Sequence, residues 1–173
     1  MAPTIMCAAR KSAAISPGRR HLLLAAAGLC LACGRSSAQG GGRVTLTPSV
    51  SLAEEATAAS RAGQPLVVLV SLDGCPICRA ARDSYLGPLR DEQGVPVVQV
   101  DMGSARPTRD FAGRSVTHDQ LVNAWSVGIA PTVLFFGPGG REIAPRLAGG
   151  YLPDFYGAYL EDRVREARRV LGR

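Results

Sequence analysis

Apolar residues in the chain after residue 43 form short continuous runs separated by stretches with helical spacing. Three runs, at residues 66–72, 95–100 and 131–136, have the length and β-branched content of buried strands. Such runs are typical of central strands covered on both faces. We also predict a short first strand at 44–47 and, after a glycine-rich turn, an antiparallel edge strand at 141–144.

Helical patterns lie between these strands. Segments 51–54 and 117–120 have the spacing of capping boxes, in which the first and fourth side chains satisfy the free amides of a helix start. Further helices are predicted at 79–86, stopped by Gly87-Pro88, and from about 153 to 171. The alternation predicts an α/β fold with a central mixed sheet flanked by helices.

The polar segment 101–115 is predicted to be an irregular surface loop that could shape partner choice. His118 falls in the first turn of the helix that follows and is expected to be exposed. Trp125 is expected to pack in the core rather than to serve as a recognition surface.

Basic charge is concentrated at the N-terminal end. The chain has 20 Lys+Arg and 14 Asp+Glu, a net charge of +6, but the first 38 residues contain no acidic residue. Residues 39–173 hold 15 Arg against 14 acidic residues. This distribution indicates a targeting segment rather than a nucleic-acid-binding face, so no nucleic-acid partner is predicted.

An apolar stretch of 12 residues, 22–33, follows the basic region, and small residues precede a cleavage position after Ala38. A membrane-spanning helix needs about 20 apolar residues. The pattern therefore predicts a cleaved export signal at 1–38, a flexible leader at 39–43 and one domain at 44–173, with a periplasmic location. The alternative is a buried or interfacial N-terminal helix.

Two features leave the export route open. Arg19-Arg20 resembles a twin-arginine signal, although paired arginines also occur in ordinary signals. Cys33 after Leu31-Ala32 resembles a lipoprotein box, so the protein would contact the membrane only if lipidated at Cys33.

Cys75 and Cys78 are the only cysteines after residue 38, and they lie where an apolar strand meets a helix. Free amides and the helix dipole at such a position favour a thiolate, which is the nucleophilic form of cysteine. The spacing puts Cys78 one turn away, able to attack a mixed disulfide formed at Cys75, and Pro76 suits a first helical turn. The pair predicts thiol-disulfide exchange without a cofactor.

These residues resemble the thioredoxin superfamily. The resemblance rests on the strand that leads into Cys75-Pro76-Ile77-Cys78 and on residues 128–132 ahead of the next strand, and it covers 44–171. It implies a thioredoxin-like fold and exchange with protein thiols and disulfides. It also implies a membrane thiol-transfer protein as the electron donor. It also implies that Pro131 is a cis-proline and that Ala130 contacts substrate, together with Pro76 and Ile77.

Within the superfamily the chain is most similar to exported SoxW-type thioredoxins associated with sulfur oxidation. The features that carry this similarity are Gly74 before the cysteine pair, the insertion containing 111–114, the helix from Thr117 and the stretch 149–153.

Several residues depart from the superfamily pattern. Gly74 replaces the usual Trp, and Leu69 stands where a buried Asp is proposed to accept the resolving proton, so that role falls to water or another carboxylate. Ile77 occupies a position where strong oxidants carry His, and Asp73, if close, would oppose a thiolate. We therefore expect a modestly lowered pKa for Cys75 and a reductant or isomerase partner rather than a strong oxidant.

Other uses of the two thiols stay open. A structural zinc site needs four ligands, and beyond the pair the chain after residue 38 supplies one histidine and no cysteine, so no metal site is predicted. An inert structural disulfide is one alternative. Another is a non-enzymatic thioredoxin-like chaperone or carrier that holds a soft ion such as Cu(I).

Overall fold

A computed structural model describes residues 44–149 and 153–172. The predicted export signal with Cys33, the leader, and residues 150–152 lie outside the described residues. The helices are α1 Leu52–Arg61, α2 Pro76–Ala81, α3 Gly87–Asp91, α4 His118–Ala124 and α5 Pro153–Val170. The strands are β1 Leu66–Ser71, β2 Val97–Asp101, β3 Pro107–Arg109, β4 Ser115–Thr117, β5 Thr132–Phe136 and β6 Glu142–Ala148.

The central sheet has four strands in the order β2-β1-β5-β6. β1 runs parallel to β2 and antiparallel to β5, with Val68 opposite both Val98 and Leu134. β6 returns antiparallel to β5 after a short 3₁₀ turn at Pro138–Gly140. The predicted mixed sheet is therefore confirmed, and all six residues of β1 are buried at its centre.

Because side chains alternate across a strand, β1 supplies both apolar cores. Val67 and Leu69 pack with residues of α3 and α5 on one face of the sheet. Val68 and Val70 pack with residues of α1 and α4 on the other face. Helices cover both faces, which explains why the sequence of β1 is apolar without alternation.

The first strand predicted at 44–47 does not form. Instead, a single parallel bridge joins Pro48 to Gln99, in which the Gln99 amide donates to the Thr47 carbonyl at 2.9 Å. The Thr45 carbonyl accepts from Arg90 Nη1 at 2.8 Å, so that group is used by a side chain rather than by a strand. Pro48 itself has no amide hydrogen to extend a ladder.

The helix predicted to stop at Gly87-Pro88 continues beyond it. A π-helical turn at Arg82–Leu86 joins α2 to α3, and Pro88 occupies the first turn of α3, where a missing amide hydrogen costs no hydrogen bond. Gly87 is buried at this junction, where an added Cβ would lie 2.7 Å from Val44 Cγ1.

The capping predictions are borne out to different degrees. At the start of α4 both halves are present: Thr117 Oγ1 accepts from the Gln120 amide at 3.2 Å, and Gln120 Oε1 accepts from the Thr117 amide at 2.9 Å. At α1, Ser51 Oγ accepts from the Glu54 amide, but the carboxylate that accepts from the Ser51 amide belongs to Glu55.

The segment 101–115 is not irregular throughout, because β3 and β4 pair as a small antiparallel sheet. The turn between them is organised by Asp110, whose Oδ1 accepts from the amides of Ala112 and Arg114 at 2.9 Å each. The two strands are held together by this turn rather than by an apolar face. Their sequence therefore lacks the alternation of apolar and polar residues that would have predicted them.

The expectation that His118 is exposed is wrong, because its side chain is fully buried. Its Nδ1 accepts from the Asp101 amide at 2.9 Å, and Nε2 lies 3.0 Å from the Ser49 carbonyl, to which it donates in this tautomer. The ring thus joins the end of β2 to the segment before α1. Trp125 is half-buried, with its ring 5.3 Å from that of Phe136.

Two adjacent glycines in the turn before β6 allow a matched test of packing. Gly139 and Gly140 both have positive φ, but an added Cβ meets nothing within 4 Å at Gly139, whereas at Gly140 it would overlap the Phe111 ring and lie 2.7 Å from Phe111 Cβ. Gly139→Ala should therefore cost about 1–2 kcal/mol of unfolding free energy from the backbone alone. Gly140→Ala should cost about 1–3 kcal/mol more, from overpacking.

Urea unfolding of the full-length chain followed by circular dichroism measures both variants. Equal losses of stability in the two alanine variants would show that the Phe111 contact does not constrain this turn.

Candidate functional site

Three loops meet at one end of the central sheet. The loop after β1 carries the cysteine pair, the loop after β2 follows Asp101, and the loop before β5 ends at Pro131. The register pairs Val70 with Thr132 and Ser71 with Asp101, so all three loops lie at the same end of the strands. Strand pairing therefore brings the sequence-predicted residues of both motifs to a common end of the sheet.

A tight turn carries the chain from β1 into α2. The Cys75 amide donates to the Leu72 carbonyl at 3.3 Å, and Asp73 Oδ1 accepts from the Gly74 amide at 2.9 Å. Gly74 has φ of +71°, a left-handed conformation that glycine adopts without the steric cost of a side chain. This turn places Cys75 at the N-cap of α2 with Pro76 in the first turn.

The two sulfurs occupy different environments. Cys75 is partly exposed, whereas Cys78 is fully buried, and both thiols are free. The backbone amide of Cys78 donates to Cys75 Sγ at 3.1 Å, so the cysteine sulfur takes the place of the oxygen acceptor at an ordinary N-cap. An accessible sulfur held by a helix amide is suited to nucleophilic attack.

The pKa of Cys75 is lowered from its ordinary value. Desolvation acts in the opposite direction, but it is outweighed by hydrogen bonds from the Cys78 side chain and from the backbone of Cys78 and Ile77, together with the positive charge of Arg82. The direction agrees with the sequence-based expectation. Asp73 is expected to oppose the thiolate if it lies close, but it is not among the groups that shift the Cys75 pKa. Its exposed carboxylate accepts a hydrogen bond from the Gly74 amide.

The pKa of Cys78 is raised. Desolvation is the main cause, followed by the hydrogen bond to the Cys75 side chain, and the negative charge of Cys75 acts in the same direction. Hydrogen bonds from the Leu72 backbone and the Ser71 side chain lower it in part. The environment therefore separates the pKa values of two chemically identical groups.

A polar chain behind the pair was missed by sequence reasoning. Arg82 Nη2 donates to Ser71 Oγ at 3.2 Å and Arg82 Nε donates to Gln99 Oε1 at 3.0 Å, while Gln99 Nε2 donates to Asp101 Oδ1 at 2.5 Å. Ser71 connects this chain to Cys78. The sequence signal for it is that Ser71 and Gln99 are polar residues inside otherwise apolar strand runs.

Asp101 is the carboxylate in this chain, and its pKa is lowered. Its interaction with the His118 side chain, whose Nδ1 lies 3.6 Å from Asp101 Oδ2, is the main cause; desolvation opposes it, and the Gln99 donor and the charge of Arg106 act in the lowering direction. The proton-acceptor role that Leu69 cannot fill is expected of water or another carboxylate. Asp101 is joined to Ser71 through Gln99 and Arg82, and the Ser71 hydroxyl in turn lowers the pKa of Cys78.

The peptide bond between Ala130 and Pro131 is cis. The Pro131 carbonyl accepts from the Gly149 amide at 2.8 Å, and Thr132 Oγ1 donates to the Ile129 carbonyl at 2.7 Å. Within the described part of the chain, no hydrogen bond uses the amide or carbonyl of Ala130.

Exposed apolar side chains border both loops. Leu72, Ile77 and Ile129 are 46%, 53% and 55% exposed. Leu72 and Ile77 flank the cysteine motif in sequence, and Ile129 precedes Ala130 and the cis-proline. Surface side chains of this kind at a reactive thiol are typical of a site that contacts another chain.

No group of three or more His, Cys, Asp or Glu side chains in residues 44–149 and 153–172 is arranged to hold a metal ion. Over the same ranges, no helix combines the length and apolar character needed to cross a membrane.

The arrangement predicts a measurable effect of Cys78 on the acidity of Cys75. Removing the thiol donor with Cys78→Ala should raise the pKa of Cys75, whereas Cys78→Ser, which retains a hydroxyl donor, should raise it less. The rate of iodoacetamide alkylation as a function of pH reports this pKa. Cys7, Cys30 and Cys33 are replaced by serine in all proteins so that the pair alone reacts.

In the parent protein that retains both Cys75 and Cys78, the alkylation midpoint of Cys75 should lie below the value of about 8.5 found for a free cysteine. A midpoint at or above that value, or identical midpoints in the alanine and serine variants, would contradict the assigned hydrogen bond.

Solved structures of similar architecture include thioredoxin O2 from Arabidopsis thaliana in its oxidised state, with a TM-score of 0.46 and 16% identity over 68% of this chain and 96% of that chain. A DsbH oxidoreductase aligns with a TM-score of 0.49 and 18% identity, covering 74% of this chain and 88% of that chain. The DsbD C-terminal domain from Neisseria meningitidis, in its oxidised form, aligns with a TM-score of 0.45 and 20% identity, covering 64% of this chain and 90% of that chain.

No curated protein matches the chain. A family profile does match: the one described as a Thioredoxin-like domain aligns with residues 52–163, which is more than half of the chain. This extent includes the cysteine pair and the cis-proline loop, and the chain belongs to the thioredoxin-like domain family.

Proposed function

We propose that this protein is a thiol-disulfide oxidoreductase that exchanges disulfides with protein substrates through Cys75 and Cys78. The observation that carries the proposal is the hydrogen bond from the Cys78 amide to the partly exposed Cys75 sulfur, with the second sulfur buried one turn behind it. This arrangement gives the two thiols different roles, as a nucleophile and a resolving group.

The first step is attack by the Cys75 thiolate on a substrate disulfide. A sulfur–sulfur bond forms between Cys75 and one substrate sulfur, and the other substrate sulfur leaves as a thiolate that takes a proton from water. In the second step Cys78 loses its proton and attacks Cys75 Sγ. The Cys75–Cys78 disulfide forms and the second substrate thiol is released, so two electrons pass to the substrate.

The opposite pKa shifts set the order of these steps. Cys78 is held as a thiol partly by its hydrogen bond to Cys75 and by the negative charge of Cys75. Once Cys75 is in a mixed disulfide, that charge is gone and its sulfur is a poorer acceptor. The hydrogen bonds from Leu72 and Ser71 remain, so forming the intermediate makes Cys78 easier to deprotonate when it is needed.

Two features support a protein substrate. Leu72, Ile77 and Ile129 offer exposed apolar surface beside the two loops. Ala130 has an amide and a carbonyl not used in hydrogen bonds within the described residues, so it can pair with an extended substrate segment as in strand addition. Pro76, Ile77, Ala130 and Pro131 form the proposed substrate contacts.

We propose that the protein works as a reductant rather than as a strong oxidant. Ile77 gives its backbone to the Cys75 thiolate, but its side chain has no donor, so the reduced form is stabilised only in part. The proposed setting is the periplasm, reached through a cleaved signal at 1–38. There a membrane thiol-transfer protein would supply electrons, as for the SoxW-type proteins that the sequence resembles.

Insulin reduction in the presence of dithiothreitol tests the catalytic claim. The full-length chain should accelerate insulin precipitation, and Cys75→Ser should abolish the acceleration because the attacking sulfur is lost. When reduced Cys78→Ser is mixed with insulin after removal of dithiothreitol, it should accumulate a long-lived mixed disulfide, visible by mass spectrometry, because the resolving sulfur is missing. Cys7, Cys30 and Cys33 are replaced by serine throughout.

A wild-type rate no faster than that of Cys75→Ser would remove the enzymatic claim. The two thiols would then be better explained by the non-enzymatic carrier or chaperone alternative.

A further inference from the structure

We propose that Cys75 also reacts with low-molecular-weight disulfides that carry carboxylates, bound in a groove on the β2 side of the cysteine pair. The proposal rests on the proposed function, because it uses the same nucleophile and the same resolving thiol. It adds a substrate class and a binding surface that differ from those proposed for protein disulfides.

The groove has a volume of about 760 Å³ and includes Cys75 in its lining. The turn after β1 and the start of α2 line one part of it, and the end of β2 with the loop that follows lines another. Grooves and pockets of about 300–1,000 Å³ suit molecules of drug or cofactor size. We call it the arginine groove, after Arg79, Arg82 and Arg106 in its lining.

The charges in the arginine groove favour an anion. Two carboxylates, Asp73 and Asp101, accompany the three guanidinium groups. Arg106 makes a loose ion pair with Asp101 at 3.8 Å. Arg82 donates to the neutral oxygens of Ser71 and Gln99, and the Arg79 guanidinium has no ion pair or hydrogen bond with any described residue.

Arg79 and Arg82 therefore make no ion pair with a carboxylate of the described chain, and Arg106 is paired only loosely. A guanidinium group binds a carboxylate through two parallel hydrogen bonds, so exposed Arg79 and Arg106 are the groups suited to hold the carboxylates of a ligand. Arg82 is held in place by its two neutral partners and contributes its charge beside Cys75.

Gly74 keeps the arginine groove open next to the sulfur. It lines the groove, and a Cβ added there would meet nothing within 4 Å. A large side chain at this position would project into space that a ligand can use. The absence of one leaves room for a small disulfide to approach Cys75.

The two substrate classes would approach from different sides. β1 lies between β2 and β5 in the sheet. The arginine groove lies toward β2, whereas the cis-proline loop and Ile129 precede β5. A small ligand in the groove therefore does not need the exposed apolar side chain of Ile129.

The reaction balances without a further co-reactant. Cys75 Sγ attacks one sulfur of the small disulfide, the original sulfur–sulfur bond breaks, and the leaving thiolate takes a proton from water. Cys78 then gives up its proton and attacks Cys75 Sγ, which releases the second small thiol. One disulfide is reduced to two thiols while the cysteine pair is oxidised to a disulfide.

A charge series of disulfides tests the proposal. The full-length chain, with Cys7, Cys30 and Cys33 replaced by serine, is reduced and mixed with glutathione disulfide (anionic), hydroxyethyl disulfide (neutral) or cystamine (cationic). Acid quenching and alkylation followed by mass spectrometry give the rate of Cys75–Cys78 oxidation. Each rate is divided by the rate of free cysteine with the same disulfide, which removes intrinsic reactivity.

The normalised rate should be highest for glutathione disulfide and lowest for cystamine. In the double variant Arg79→Gln, Arg106→Gln, the ratio of the glutathione disulfide rate to the hydroxyethyl disulfide rate should fall by about fivefold, the size expected when exposed charge contacts are lost. Arg141→Gln removes an exposed arginine that is not in the groove lining, and it should leave the ratio unchanged.

Equal normalised rates for the three disulfides, or an equal fall in the ratio for Arg141→Gln, would overturn the proposal. If hydroxyethyl disulfide is still reduced in that case, the proposed function stands and only the anion preference is lost. If the protein reduces none of the three disulfides and also fails to reduce insulin, the proposed function itself fails.

Discussion

The hydrogen bond from the Cys78 amide to Cys75 Sγ links the reactivity of the Cys75 thiol to the backbone of a helix. A helix start leaves several amides without partners, and here a sulfur rather than an oxygen satisfies one of them. A thiolate accepts this bond more strongly than a thiol does, so the folded backbone favours the reactive form. This contact holds the partly exposed Cys75 sulfur at the helix end while Cys78 is buried one turn behind it, and the proposed attacking and resolving roles rest on that difference.

The central sheet fixes the position of that contact. β1 is buried on both faces, and the turn after it can be short only because Gly74 adopts a left-handed conformation. Strand pairing on either side of β1 brings the cis-proline loop to one flank and the end of β2 to the other. Two different surfaces therefore border a single sulfur, one of them apolar and the other rich in arginine.

The elements that depend on local sequence could be predicted. Examples are the β-branched run in β1, the apolar run in β5 and the capping box at Thr117. A strand buried on both faces requires a continuous apolar run, and a helix start requires capping side chains, so both are visible in the residue pattern. The position of the cysteine pair between strand and helix was also readable. The direction of the Cys75 pKa shift followed from that position alone.

Features that depend on distant contacts could not be predicted. His118 is buried because it connects Asp101 to Ser49, two segments far away in the sequence. The chain from Ser71 through Arg82 and Gln99 exists because Arg82, in the π-helical turn after α2, donates to Ser71 of β1 and to Gln99 of β2, which no residue spacing shows. The strand predicted at 44–47 failed for the same reason, since Arg90 on another element takes the Thr45 carbonyl.

The proposed exchange requires that these two sulfurs form a reversible dithiol–disulfide pair of moderate stability. Its most direct test is the reduction potential of the Cys75–Cys78 pair, measured by equilibration with a dithiothreitol or glutathione redox buffer in a chain whose other cysteines are replaced by serine. We expect a reversible two-electron equilibrium with a potential closer to the value of about −270 mV for thioredoxin than to about −120 mV for a strong oxidant. A potential near −120 mV, or no reversible equilibrium, would contradict it.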